Sequence, residues 1–481
     1  MPSLSKLVSA TMTHNARTAN GAVTNSTSLS HLVDLFFIAG TLIWKQPSEY
    51  MQKWYAAYWE NKELAFKLLF WMRDIRGWAG VRDAFNYIYN QLSPEEKKHF
   101  VKYIPEFGRW KDVFELAEQE FEPFKDIIEF YMIEWYFKSD FALFCKWFPR
   151  KGIVFNETRK MLWWSPKQLR KYVVVGSDTV ETQMSNKQWS EILYEHVPSK
   201  AFAKYQKAFE RHDSARFREF VNNRPSEIKA TTLFPADICK EFFRNHGVNS
   251  YRPNPTLDKV IDAQWKNLPD YIQSDKTFLP VVDVSGSMFS SSSSRETGIT
   301  PIMNSISLGL YLAERNKSIF KDCFMSFSEH PEMHYIKWDH ICDKFNYIKE
   351  DPNMGYNTNL VATFEYILDS ALRAHLIQRD MPDYVIVLSD MEFDSAVEWE
   401  TNFETIKKKY SQYWYTMPNL IFWNLDWRIG NVPVTIDDKG TALVSWYSPA
   451  IMKSVLSSKV VTPEEIMLET LESDRYKAIR I

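Results

Sequence analysis

Asp283, Ser285 and Ser287 occupy alternate positions directly after the apolar run Phe278-Leu279-Pro280-Val281-Val282. A carboxylate and two hydroxyls so spaced are hard oxygen donors, which suit Mg²⁺ better than a softer ion. Two distant segments add matching oxygens. Thr358 sits in the loop Gly355-Tyr356-Asn357-Thr358-Asn359-Leu360, and Asp390 follows a second apolar run, Tyr384-Val385-Ile386-Val387-Leu388-Ser389. Asp283, Ser285, Ser287, Thr358 and Asp390 are therefore the expected ligands of Mg²⁺, or of another divalent cation such as Mn²⁺ or Ca²⁺. Asp, Ser and Gly are also turn residues, so the first segment alone reads equally as a turn. Thr358 and Asp390 behind it favour the ion. Few carboxylates and several neutral hydroxyls leave such an ion electron-poor, and Mg²⁺ demands six oxygens. An open position then attracts an outside carboxylate or phosphate oxygen, which is capture chemistry.

Turnover is not expected. A metal-dependent phosphohydrolase needs a second Asp two residues after the first, and Ser285 stands there. No phosphate-binding Gly-x-x-x-x-Gly-Lys-Ser/Thr loop, zinc-type His/Cys spacing or Gly-x-Ser-x-Gly elbow occurs. His330, His334 and His340 read as members of a polar loop.

The elements that must position these donors follow an α/β alternation after residue 278. Strands are expected at 278–284, 323–327, 384–389, 419–424, 432–435 and 441–444. Helices lie between them, and a last one starts at the cap Thr462-Pro463-Glu464-Glu465. Such alternation implies a doubly wound, mostly parallel sheet, with ligands at the carboxyl ends of its strands.

Before residue 250 the pattern differs. Residues 1–30, rich in Ser, Thr, Asn and Ala, read as an extended arm. Helices are predicted at 48–59, 62–73, 80–91, 110–119, 122–137 and 141–148, with Pro94, Pro105, Pro149 and Pro166 at the joints. Short helices without strand signals suggest an all-α helical-repeat solenoid, although the sequence carries no clean period. The predicted organisation is thus multidomain: an arm over 1–30, helical repeats over 31–250, a polar connector over 251–277, and an α/β doubly wound, Rossmann-like domain over 278–481.

The formal charge of −3 hides an asymmetry. Residues 1–280 carry 39 Lys and Arg against 33 Asp and Glu, and residues 281–481 carry 19 against 28. Within 142–224 there are 16 basic and 8 acidic residues, with Trp and Tyr among them. Lys200, Lys204, Lys207 and Arg211 recur at intervals of three and four, which lines cations along one side of a helix. A solvated helix face and a nucleic-acid contact both fit that pattern. The candidate contacts for such a nucleic acid are His196, Lys200, Lys204, Arg211, His212 and Arg216. Four cysteines without paired spacing read as free thiols in a reducing compartment. Apolar runs fall short of a membrane span, and no leader pattern opens the chain. A soluble cytoplasmic protein, with no membrane partner and no DNA specificity, is expected.

Blocks along the whole chain resemble one family. They include Arg73-Asp74-Ile75-Arg76-Gly77, Pro105-Glu106-Phe107-Gly108-Arg109-Trp110-Lys111-Asp112 and Lys146-Trp147-Phe148-Pro149-Arg150. His196-Val197-Pro198-Ser199, Leu388-Ser389-Asp390-Met391-Glu392-Phe393-Asp394 and Gly440-Thr441-Ala442-Leu443-Val444-Ser445 continue the series. The layout resembles the Ro autoantigen family: a helical-repeat TROVE ring joined to a von Willebrand factor A domain with its metal-ion-dependent adhesion site. The similarity is to its branch in plants, giant viruses and large phages. The resemblance implies binding of small structured or misfolded RNA, with the A domain closing the ring or capturing a protein carboxylate. The alternative is a metal-dependent protein-interaction or assembly module, virion-associated in a virus, without RNA binding.

Overall fold

The computed structural model describes residues 16–17, 23–24, 28–39, 47–76, 81–134, 140–246, 253–272, 276–289, 298–328, 330–350, 359–390, 399–425, 441–445 and 462–481. Up to residue 276 it is helical apart from one short pairing. In the expected extended arm, β1 (Ala16–Arg17) pairs antiparallel with β2 (Val23–Thr24). Beyond residue 277, helices alternate with a six-stranded sheet. The chain is therefore mostly helical, with an α/β C-terminal part.

Helix starts follow local chemistry. Ser93 and Ser165 each precede a Pro and form reciprocal capping boxes with Glu96 and Gln168. Each box satisfies amides that a helix end leaves orphaned. Aromatic side chains fill the spaces between helices. Phe66 stacks on Phe100 with centroids 4.0 Å apart, and Phe36 stacks on Trp71 at 4.4 Å. The high aromatic content thus goes largely into packing, where each ring removes a large apolar area from water.

A second, smaller core gathers Ile192, Tyr194, Phe202, Phe209, Phe217 and Phe220 beside Val260 and Ala263. Helix Pro255–Lys266 serves both cores, because its Ile261 and Trp265 belong to the main one. The segment expected as a connector is therefore a two-faced helix that joins the parts by burial.

The sheet contains β3 (Phe278–Val282), β4 (Cys323–Ser326), β5 (Met333–Tyr335), β6 (Tyr384–Ser389), β7 (Asn419–Asn424) and β8 (Thr441–Ser445). Their spatial order is β5-β4-β3-β6-β7-β8, parallel throughout except for the antiparallel edge strand β5. Every residue of β3 and β6 is buried, as continuous apolar runs in a covered parallel sheet require. Helix Pro301–Arg315 covers β3 closely at Gly309, where an added Cβ would lie 2.3 Å from Val282 Cγ2. The strand expected at 432–435 lies outside the described residues.

Both ends of the helical region are fastened to the C-terminal part. At the far end, Trp265 Nε1 donates to Glu314 at 2.7 Å, and Phe345 packs against Phe242 and Trp265. At the near end, the segment after helix Pro463–Leu471 returns to the first helices. Lys67 pairs with Glu472 at 2.9 Å, and Asp74 accepts from Arg475 Nη2 at 2.6 Å and from the Tyr476 hydroxyl at 3.0 Å. Tyr103 donates to the carbonyl of Ala478 at 2.6 Å, and Tyr476 stacks on Phe107. No helix among the described residues is long and apolar enough to cross a membrane.

Candidate metal centre and basic helix face

The chain leaves β3 for β4 on one side and later returns to β6 on the other side of β3. That reversal makes the crevice between the carboxyl ends of β3 and β6 the place where an open α/β sheet takes a ligand. Asp283 and Asp390 directly follow those two strands. The Asp283 amide extends the pairing by donating to the Leu388 carbonyl at 3.1 Å. Both carboxylates are buried, at 0% and 1% exposure.

Asp283 is held by short contacts. Its Oδ1 accepts the Ser285 amide at 2.8 Å, and its Oδ2 accepts the Ser389 hydroxyl at 2.6 Å. The Ser285 and Ser287 hydroxyls lie 3.0 Å apart. Gly286 between them is exposed, with nothing among the described residues within 4 Å of where a Cβ would sit. Burial, and then the charge of Asp390, push the Asp283 carboxyl well above the ordinary carboxylate range. Two buried like charges at one crevice favour either a proton or a cation between them. The donor set of carboxylate and hydroxyl oxygens fits Mg²⁺. Four of the five expected ligands thus come from two adjacent strand ends. Thr358 lies outside the described residues, immediately before Asn359, which caps helix Leu360–Arg373.

The basic segment resolves into distinct roles. On helix Ser199–His212, Lys200, Lys204, Lys207 and Arg211 are all exposed, while Phe202, Ala203, Gln206 and Phe209 are buried on the opposite face. Lys200 approaches Asp237 at 3.6 Å. Among the described residues, no carboxylate pairs with Lys204, Lys207 or Arg211. His196 is exposed on the adjoining turn, and exposed His212 stacks on Trp189 at 4.5 Å. Arg216 is engaged otherwise: it donates to the carbonyls of Trp189 at 3.1 Å and Ile192 at 2.9 Å, and to Asp213 at 2.8 Å. Those bonds tie a loop to helix Ser214–Asn223, so Arg216 has a structural task that spacing alone does not reveal.

His330 and His340 are exposed and outside helix and strand, as a polar loop requires, but His334 is not. His334 is on β5, is 5% exposed, stacks on Phe324 at 4.9 Å and meets the Tyr347 hydroxyl at 3.2 Å. Sequence reasoning also missed a cluster of His246, Asp258 and Cys342, whose ligand atoms all lie within 4.8 Å of one another. No spacing rule finds three residues on three separate helices.

Two regions match domains of unknown function: residues 155–278 match DUF2828, and residues 278–479 match DUF7788. Along nearly its whole length the chain is similar to an uncharacterized protein of Acanthamoeba polyphaga mimivirus. The identity is 24% over 519 aligned residues, covering 95% of this chain and 87% of the viral protein.

Proposed function

We propose that this is an RNA-binding protein of the Ro ribonucleoprotein type. In this reading the helical region is TROVE-like, and the α/β part is a von Willebrand A domain. Asp283, Ser285, Ser287, Thr358 and Asp390 hold Mg²⁺ there, which supplies an electrophilic position for an outside carboxylate. The observation that carries the RNA assignment is the row on helix Ser199–His212. Four exposed cations span roughly 16 Å, eleven residues at 1.5 Å each, and three of them have no carboxylate partner among the described residues. Cations neutralised within the protein release few counterions on binding a polyanion, whereas these are placed to release them.

The fastening of both helical ends to the C-terminal part supports a closed arrangement in which that part holds the helical region shut. The buried acid pair and the solvent-facing Gly286 support capture of an acidic protein side chain at the same time. Filter binding of small structured RNAs with free 3′ ends, across a salt series, tests the proposal. A linear fall of log affinity with log salt is expected, and flat or absent binding would reject it.

A further inference from the structure

His246 ends helix Pro235–His246, Asp258 lies in the first turn of helix Pro255–Lys266, and Cys342 lies in the first turn of helix Ile341–Glu350. Their ligand atoms fall within 4.8 Å of one another, and His246 Nε2 is 2.8 Å from Asp258 Oδ1. His246 and Cys342 are buried, and Asp258 is the partly exposed member. An imidazole, a carboxylate and a thiol are the donors of zinc proteins, and a thiol is a poor ligand for Mg²⁺. Around a tetrahedral Zn²⁺, ligand atoms stand roughly 3.3–3.6 Å apart, given bonds of about 2.0–2.3 Å. To enclose an ion the His–Asp contact of 2.8 Å would open by about half an ångström, and a pair standing near the 4.8 Å limit would close by about 1 Å, changes that side-chain rotation can supply.

We propose that His246, Asp258 and Cys342 form a zinc site, with water completing the tetrahedron from the Asp258 side. The same residue types could also make a nucleophilic triad, but the surroundings oppose it. Burial, and then the charges of Asp258, Asp262 and Asp343, push the Cys342 thiol up, whereas an activated thiol needs cationic neighbours. Carboxylates that disfavour a bare thiolate favour a dication beside it.

The site joins regions that the domain matches divide. His246 and Asp258 fall within residues 155–278 and Cys342 within 278–479. Zinc there would pin the last two helices of the helical region to a helix covering the sheet. It is chemically distinct from the all-oxygen centre at Asp283, and stands or falls separately from RNA binding.

The test is Co²⁺ substitution of the full-length protein, read by its ultraviolet and visible spectrum. A thiolate-to-cobalt charge-transfer band with tetrahedral d–d bands, saturating at about one equivalent, is expected in the wild type. The band should vanish in Cys342→Ala and Cys342→Ser, and persist in Cys323→Ala and in Asp283→Ala, whose change removes only the oxygen site. His246→Gln should weaken it at least tenfold in affinity. Absence of a thiolate band in folded wild-type protein would overturn the proposal, as would its survival in a Cys342 variant. If the Cys342 variants fail to fold, displacement of the wild-type band by Zn²⁺ and not by Mg²⁺ supports the site, and equal displacement by both overturns it.

Discussion

Asp74 is the point where the C-terminal segment grips the first helices, and its removal should loosen that grip measurably. The side chain is 0% exposed and accepts from Arg475, from the Tyr476 hydroxyl and from the Arg76 amide. In Asp74→Ala the Arg475 guanidinium and the buried Tyr476 hydroxyl both lose their acceptor. Breaking a fully buried ion pair costs about 3–5 kcal/mol, because one charge is left uncompensated. Arg475 retains 33% side-chain exposure, so water recovers part of that loss. The expected destabilisation is about 2–4 kcal/mol. Tyr476→Phe removes one hydrogen bond and keeps the stack on Phe107, so about 1 kcal/mol is expected. Urea denaturation gives the global value, and amide hydrogen exchange over 463–481 shows whether the segment opens first. If Asp74→Ala shifts stability by less than about 0.5 kcal/mol and leaves exchange in 463–481 unchanged, Asp74 is not what holds this segment to the first helices.

Three further outcomes follow from the packing and the acid pair. Gly309→Ala forces a methyl into Val282 and should destabilise by about 1–3 kcal/mol, by overpacking, in thermal or urea melts. The metal-free protein should be more stable in mildly acidic than in mildly alkaline buffer. Asp283 has a raised native pKa, so the native state holds its proton where the unfolded chain has released it, from about 4 up toward neutrality. Stability from this group falls as pH rises through that window, and saturating Mg²⁺ should reverse the trend; a pH series of melts in EDTA and in Mg²⁺ checks the sign. Asp390→Asn should abolish the Mg²⁺-dependent stabilisation while raising metal-free stability at neutral pH, since it removes one of two buried like charges. A titration calorimeter would register the lost binding.

Where local chemistry determines structure, the sequence was readable. The runs 278–282 and 384–389 are apolar on both faces and each is followed by Asp, so strand, burial and the placing of two carboxylates at adjacent strand ends followed together. Helix Lys62–Arg73 has the predicted limits because Asn61 caps it and the backbone turns extended at Asp74. What escaped reading was tertiary. β5 is a three-residue edge strand whose His334 is buried against Phe324 and Tyr347. Arg216 looks like its basic neighbours until its carbonyl acceptors are seen. His246 and Cys342 are 96 positions apart and meet only when helices from both parts of the chain pack. Spacing along one element is encoded locally, and meetings between elements are not.

The RNA reading turns on helix Ser199–His212, and one comparison tests it directly. The salt dependence of RNA affinity should be measured for the wild type and for the combined Lys204→Ala, Lys207→Ala and Arg211→Ala variant. These side chains are exposed, so the variant should keep its stability within about 0.5 kcal/mol. If each cation meets a phosphate, the slope of log affinity against log salt should become shallower by about 2. An unchanged slope and affinity in the folded triple variant would contradict the account.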